Sequence, residues 1–114
     1  MVVEDEFFLA VEIEDALTRA GADVVGPIPD VRSALGEVAH DGLALAVLDV
    51  NLGGTLVYPV ADALAERGIP FLFASAYPNT EVPVRHKGRP YLEKPYETRD
   101  LIARLADLVR RDPS

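Results

Sequence analysis

Five polar residues follow short apolar runs in this sequence, and their side chains together suit phosphoryl chemistry. They are Glu4, Asp5, Asp49, Ser75 and Lys94. A divalent cation held by carboxylates and a lysine ammonium would neutralise phosphoryl oxygens, while a hydroxyl donates to one of them. A carboxylate is ionised at neutral pH and can act as the nucleophile. Because no histidine lies at a predicted strand end, Asp49 is the best candidate for that role.

The position of Asp49 explains how these groups would meet. It ends the apolar stretch LALAVL, residues 43–48, and such a run is typical of a strand buried on both faces. In parallel sheets, ligands bind beyond the carboxyl ends of the strands. Two carboxylates about 4 Å apart repel by roughly 4 kcal/mol at an effective dielectric of 20. Acids grouped at this rim therefore predict a hard cation, best matched by Mg²⁺.

The elements that must position these residues alternate between strand and helix. Helices are predicted over residues 7–20, after an N-cap at Asp30, over residues 59–67, and after a cap at Thr98. Strands are predicted over residues 2–3, 23–28, 45–49, 70–75 and 91–93. This alternation predicts an α/β fold, a doubly wound parallel sheet with helices on both faces. Three prolines within residues 78–90 leave the fourth helix of this pattern short or missing.

Composition narrows the function classes. The 114 residues predict one domain, residues 1–114, and 49% of them are hydrophobic. The absence of cysteine excludes disulfides and thiolate metal sites. A net charge of −8 opposes binding to nucleic acid and to anionic membranes. The N-terminus lacks a basic leader, and no apolar run approaches the roughly 20 residues that span a bilayer, so a cytoplasmic location is expected.

Some charged residues are predicted to have no role in chemistry. Arg85, Lys87 and Arg89 form a local basic cluster, interpreted as a solvated loop. His40 and His86 have no partners at metal-ligand spacing and are predicted to be exposed to solvent. Gly53 and Gly54 are predicted to shape a loop, because no P-loop Lys-Ser/Thr pair follows them.

Taken in order, the motifs resemble those of a response-regulator receiver domain, the CheY-like module of two-component signalling. The matching segments are VVEDE, LDVNL, FAS and LEKP, and the likeness covers nearly the whole chain. The resemblance implies a five-stranded sheet of order 2-1-3-4-5. It also implies that a sensor histidine kinase or a histidine phosphotransferase donates a phosphoryl group.

The resemblance also implies a role for each site residue. Asp49 would be the phosphoacceptor, and Ser75 and Lys94 would contact the phosphoryl group. Mg²⁺ would be bound by Glu4, Asp5 and Asp49 and by the main-chain carbonyl of Asn51. The Lys94–Pro95 bond is expected to be cis. The switch aromatic maps to Tyr91, with Tyr77 as a competing candidate because it lies close to Ser75.

The segment FASAY is similar to a narrower group, the alphaproteobacterial stress-response receivers whose strand ends Phe-Ala-Thr-Gly. Here Ser75 stands in place of threonine and Ala76 in place of glycine. Serine keeps the hydroxyl but has a less restricted rotamer. The first strand is shorter than in family members, so either the natural start lies upstream or the domain tolerates a short central strand.

The expected function is a stand-alone receiver, not an enzyme, that signals through a downstream protein partner, since no output segment follows the last predicted helix. One alternative is a phosphorylation-independent adaptor with the same fold. A second is a small phosphatase using Asp49, which the asparagine at position 51 argues against because no second acid stands there. A flavodoxin-like carrier is disfavoured because the acidic EDEFF segment would repel a flavin phosphate.

Overall fold

The computed structural model of the protein describes residues 1–111. Its helices are α1 (Phe7–Arg19), α2 (Val31–Val38), α3 (Tyr58–Glu66) and α4 (Thr98–Arg111). Its strands are β1 (Val2–Val3), β2 (Ala46–Leu48), β3 (Asn51–Leu52), β4 (Thr55–Leu56), β5 (Phe71–Ser75) and β6 (Tyr91–Glu93). The predicted α/β architecture is therefore confirmed.

The main sheet has the order β1-β2-β5-β6, and every pair in it is parallel. Val3 lies opposite Leu48, Leu48 lies opposite Phe73, and Ser75 lies opposite Glu93. This register aligns the carboxyl ends of the four strands at one edge. Residues that follow the strands are thereby brought side by side, as parallel pairing requires.

The five-strand order is not confirmed, because the predicted second strand is reduced to one parallel bridge between Val3 and Ile28. The segment does run beside β1, since Ile28 N–H donates to the carbonyl of Val2 and Glu4 N–H donates to the carbonyl of Ile28. Pro27 has no N–H to add to a ladder, and β1 offers only two residues for pairing.

Helices cover both faces of the sheet, and the strand residues alternate between them. Val47, Leu72 and Ala74 pack in a cluster with Ile13 of α1 and Leu101 of α4. Their neighbours Leu48, Phe71 and Phe73 pack in the opposite cluster, which contains Ala34 and Val38 of α2 and Val60 and Leu64 of α3. The period of two is what a strand buried on both faces requires.

Two helix starts were predicted from caps, with different outcomes. Asp30 caps α2 as expected, since its Oδ1 accepts a 2.7 Å hydrogen bond from Ser33 N–H. Thr98 was predicted to cap the last helix from the position before it, but it is the first residue of α4. Its hydroxyl donates to Glu12 Oε1 of α1 at 2.8 Å. The Thr98 side chain thus joins two helices on the same face of the sheet.

Between β5 and β6, the proline-rich segment forms two short 3₁₀ turns, Asn79–Glu81 and Val84–His86. The sequence predicts a short or missing helix at this place. The prediction that His86 is exposed is wrong: only 3% of the residue is accessible. Its ring packs against Tyr58, Phe71 and Phe73, and Nε2 lies 2.7 Å from Asp62 Oδ1. His40 is exposed as expected.

Gly53 and Gly54 form the turn of a hairpin that pairs β3 with β4. Both have positive φ, +61° and +99°, the region that favours glycine. Sequence reasoning had predicted only a loop here. Among the described residues, no helix combines the length and the apolar character needed to cross a bilayer.

Candidate functional site

The five residues predicted to act together do meet at the carboxyl edge of the sheet. Glu4 and Asp5 follow β1, Asp49 follows β2, Ser75 ends β5, and Lys94 follows β6. Lys94 N–H donates to the carbonyl of Ser75 at 2.9 Å, which continues the β5–β6 ladder to the site. The Lys94–Pro95 peptide bond is cis, as expected.

Asp49 lies at the centre of this group and is only 5% exposed. Its Oδ1 accepts a hydrogen bond of 2.5 Å from the hydroxyl of Ser75, and its Oδ2 lies 2.9 Å from the ammonium of Lys94. A longer contact of 3.4 Å comes from Asn51 N–H. A buried carboxylate whose oxygens both have donors is held in one orientation.

Glu4 is the second buried acid, at 4% exposure. Its Oε1 lies 3.0 Å from Lys94 Nζ, and its Oε2 accepts from Glu6 N–H at 3.1 Å. Burial, followed by interaction with the Asp49 carboxyl, raises the pKa of Glu4 to about 7. With no cation bound, Glu4 is thus poised to change its charge near neutral pH.

Lys94 is the positive charge shared by these acids. Burial lowers its pKa, but hydrogen bonding and attraction to Asp49 and Glu4 outweigh that effect, so the net pKa lies above the ordinary lysine value. Lys94 therefore remains charged throughout the physiological pH range. Its Nζ also lies 3.4 Å from Glu6 Oε2.

Glu6 was not predicted as a site residue. It is the third acid of the EDE run, residues 4–6. This acidic run is the only sequence feature that points to Glu6 as a residue of the site. Tyr96 was also missed: its hydroxyl is buried and has no hydrogen-bond partner within the described part of the chain. Burial, with a smaller contribution from Glu4, raises the pKa of Tyr96 to about 12.

The acids suit a divalent cation. Glu4, Asp5 and Asp49 each offer one carboxylate oxygen, and these oxygens lie within 4.8 Å of one another. Asp5 is exposed, whereas the other two are buried, so the group is open to solvent on one side. An all-oxygen donor set with several negative charges fits Mg²⁺.

The β3–β4 hairpin forms one wall of the cleft above Asp49. Asn51 Oδ1 accepts a 2.7 Å hydrogen bond from Gly54 N–H, which fixes the hairpin. The cleft has a volume of about 460 Å³ and is lined by Ser75, Tyr77 and Lys94 as well as by the hairpin. It thus leaves room beside the carboxylate for an incoming phosphoryl group.

Both candidate switch aromatics lie on one hydrogen-bonded path from Asp49. Tyr77 N–H donates to the Ser75 hydroxyl oxygen at 3.2 Å, and the hydroxyl of Tyr91 donates to the carbonyl of Tyr77. The Tyr91 ring packs on Phe73, with 5.8 Å between ring centroids. Burial raises the pKa of Tyr91 to about 12, so its hydroxyl keeps its proton at neutral pH.

Comparison with known proteins gives consistent results. No family model matches the chain. The two-component response regulator PhoP of Pseudomonas aeruginosa is 33% identical over 116 residues, which cover 97% of this chain and 51% of PhoP. The chain spans about half the length of the curated relatives it matches.

Solved structures extend the comparison. SdrG of Sphingomonas melonis is 41% identical, with a TM-score of 0.81 over 95% of this chain and 92% of SdrG. The receiver domain of PhyR from Erythrobacter litoralis has a TM-score of 0.84 over 99% of this chain and 90% of that domain. At 22% identity, the PhyR comparison supports the fold alone.

Proposed function

The chain belongs to the receiver family of response regulators in two-component systems, and on that premise we propose that Asp49 accepts a phosphoryl group. The observation that carries the proposal is the buried Asp49 carboxylate, held by Ser75 and Lys94 with Glu4 and Asp5 beside it. The Lys94 ammonium already contacts the nucleophile before the donor arrives, so its charge needs little reorganisation to neutralise the phosphoryl oxygens.

The proposed reaction is a displacement at phosphorus. A carboxylate oxygen of Asp49 attacks the phosphoryl group of a phosphohistidine on a sensor kinase or a histidine phosphotransferase. The P–N bond breaks, its electron pair stays on the imidazole, and an acyl phosphate forms on Asp49. Asp49 needs no general base, because a carboxylate nucleophile, unlike a hydroxyl, has no proton to lose when it attacks.

Lys94 and Ser75 have separate parts in this proposal. The Lys94 ammonium neutralises charge on the phosphoryl oxygens, and the Ser75 hydroxyl turns from Asp49 to donate to one of them. Mg²⁺ would be held by Glu4, Asp5 and Asp49 and by the carbonyl of Asn51, and would supply further neutralisation of the phosphoryl oxygens.

The same hydroxyl is proposed to start the conformational switch. When Ser75 turns toward the phosphoryl group, the hydrogen bond from Tyr77 N–H loses its acceptor. Tyr77 also holds the hydroxyl of Tyr91 through its carbonyl, so both aromatics respond to one event. Phosphorylation then shifts the population between two packings of the face around β6. Tyr91 is the proposed switch aromatic because its ring lies between this path and the core.

The proposed output is binding to a downstream protein. The net charge of −8 opposes nucleic acid and anionic membranes as targets. The likeness to SdrG covers 92% of that chain and supports a receiver domain over this sequence. We further propose that residues 1–114 act as a separate receiver protein in the cytoplasm that does not turn over a substrate.

Acetyl phosphate tests phosphoryl uptake without knowledge of the kinase. Intact mass is recorded after incubation with and without Mg²⁺, for wild type and for Asp49→Asn. The expected result is one phosphoryl adduct that requires Mg²⁺ and is lost in the variant. Absence of an adduct from wild type with bound Mg²⁺ would contradict the proposal and favour the phosphorylation-independent adaptor.

A further inference from the structure

A second cleft lies away from Asp49, between the two 3₁₀ turns and β6. Its volume is about 370 Å³, and its lining includes Asn79, Thr80, His86, Lys87, Arg89 and Tyr91. The lining is mostly polar, and the volume is in the range of small ligand pockets, about 300–1,000 Å³. The cleft is therefore large enough to take a few side chains of a binding partner.

Among residues 1–111, two cations beside this cleft have no carboxylate partner. In that part of the chain, Lys87 Nζ donates to the carbonyl of Thr80, at 3.3 Å. The Arg89 guanidinium lies 4.2 Å from the centroid of the Phe71 ring and forms no ion pair within residues 1–111. Unneutralised cations at a cleft favour an anionic occupant, particularly in a chain with a net charge of −8.

The nearby Arg85 shows the contrast. It belongs to the same basic segment, but its guanidinium makes two contacts with the Asp62 carboxylate, at 2.7 and 3.0 Å. Arg85 is thus neutralised from α3, and it does not line the cleft. Only the part of the basic segment at the cleft keeps its charge available.

His86 adds a buried polar group to the same wall. One ring nitrogen, Nε2, lies 2.7 Å from Asp62, and the other, Nδ1, is buried with no hydrogen-bond partner among the described residues. Buried polar atoms are satisfied in the great majority of cases, so an unpaired one calls for a partner. The Asp62 carboxylate can only accept, so Nε2 donates to it and Nδ1 of the neutral ring is an acceptor. A backbone N–H of a segment entering the cleft would supply the missing donor.

We propose that this cleft binds an acidic segment of a protein partner, with its carboxylates paired to Lys87 and Arg89 and a backbone N–H donating to His86 Nδ1. A peptide carboxylate fits better than a long polyanion, because the cleft is small and the net charge of −8 on the chain opposes binding of an extended polyanion. The downstream partner would then carry a short run of aspartate or glutamate residues that enters this cleft.

Tyr91 connects the cleft to the phosphoacceptor. Its ring lines the cleft, while its hydroxyl donates to the carbonyl of Tyr77, whose N–H donates to Ser75. A turn of the Ser75 hydroxyl toward a phosphoryl group would change this wall and so the affinity for the acidic segment. This coupling rests on the proposed function, whereas binding to the cleft itself does not.

The test uses the unphosphorylated protein and a hexaglutamate peptide, with hexaglutamine as the uncharged control. Backbone NMR shifts of the protein are followed during the titration. Saturable shifts are expected within residues 79–91, for hexaglutamate only. Lys87→Gln and Arg89→Gln should each weaken binding by about tenfold, the typical loss for one charge-assisted hydrogen bond.

Arg32→Gln is the matched control, because it removes the same charge from a residue that is exposed on α2 and does not line the cleft. The proposal would be overturned if Arg32→Gln weakened binding equally, if the NMR shifts spread over the whole surface, or if no saturable binding were observed. Arg89 packs on Phe71, so the exposed Lys87 provides the deciding variant if Arg89→Gln unfolds. Acetyl phosphate uptake is read separately by mass, so failure of the cleft and failure of phosphorylation are distinguishable.

Discussion

Lys94 Nζ lies 2.9 Å from Asp49 Oδ2 and joins positions 45 residues apart in the chain. The same ammonium lies 3.0 Å from the buried Glu4. One lysine therefore compensates two buried carboxylates, which would otherwise repel each other and lack solvation. The contact links the stability of the fold to the chemistry of the site.

Lys94→Ala is expected to lower the free energy of unfolding by about 3–5 kcal/mol at pH 8 without Mg²⁺, the usual loss when one partner of a buried pair is removed. Urea denaturation measures this, and Mg²⁺ should restore part of the loss by replacing the missing charge. Lys87→Ala, at an exposed lysine, should change stability by less than about 0.5 kcal/mol. Equal effects of the two variants would refute the role of Lys94.

The raised pKa of Glu4 predicts how stability depends on pH without a divalent cation. Its pKa is 4.5 when unfolded and about 7 when folded, so between these values the folded state binds more protons. The contribution of Glu4 to the free energy of unfolding is fully present below pH 4.5. It falls by about 3 kcal/mol at most as the pH rises through 7. Asp30 and Asp62 have lowered pKa values, but their contributions are constant above about pH 5.

The measurement is the free energy of unfolding at pH 5 to 8 in the presence of a chelator. Glu4→Gln should flatten the decline, and saturating Mg²⁺ should reverse it, because the cation binds the ionised acid. An unchanged slope in Glu4→Gln would assign the pH dependence to another group.

Asp5→Asn is predicted to weaken Mg²⁺ binding without weakening the fold. Asp5 is exposed, so its loss should change stability by less than about 0.5 kcal/mol. Loss of a carboxylate ligand should lower Mg²⁺ affinity by at least about tenfold, since even outer-shell changes have such effects. Calorimetric titration measures it. Glu6→Gln, at an exposed acid next in sequence, should have a smaller effect, and equal losses would argue against Asp5 as a ligand.

Ser75→Ala is expected to separate phosphorylation from switching. Without the hydroxyl, Tyr77 N–H has no acceptor to lose, so the Tyr91 ring should keep its unphosphorylated NMR shifts after beryllofluoride, an acyl-phosphate analogue, is added. Ser75→Thr keeps the hydroxyl and should switch like wild type. Identical Tyr91 shift changes in Ser75→Ala and wild type would show that the signal takes another route.

Elements with strong local patterns were predicted well from the sequence. The run at residues 43–48 is apolar because β2 is buried on both faces, and Asp30 was recognisable as a cap. The grouping of the candidate site residues was predictable for the same reason, since each strand end has a chemically distinctive residue next to it. Parallel pairing then brings these residues together.

Other features depend on contacts between distant segments, which local patterns do not contain. Residues 23–28 have a strand-like composition, but the two residues of β1 offer one bridge to them. His86 lies in a predicted loop and has no partner at metal-ligand spacing, which suggested solvent exposure, yet its ring fills a space between Tyr58 and Phe71. Its burial follows from aromatic residues far away in sequence.

The most direct test of the central claim is the identity of the residue that receives the phosphoryl group. The protein is incubated with acetyl phosphate and Mg²⁺, then reduced with borohydride, which converts an aspartyl phosphate to homoserine. Peptide mass spectrometry then locates the change. The account predicts homoserine at position 49 alone, dependent on Mg²⁺. Homoserine at another aspartate, or no reduction product despite bound Mg²⁺, would contradict it.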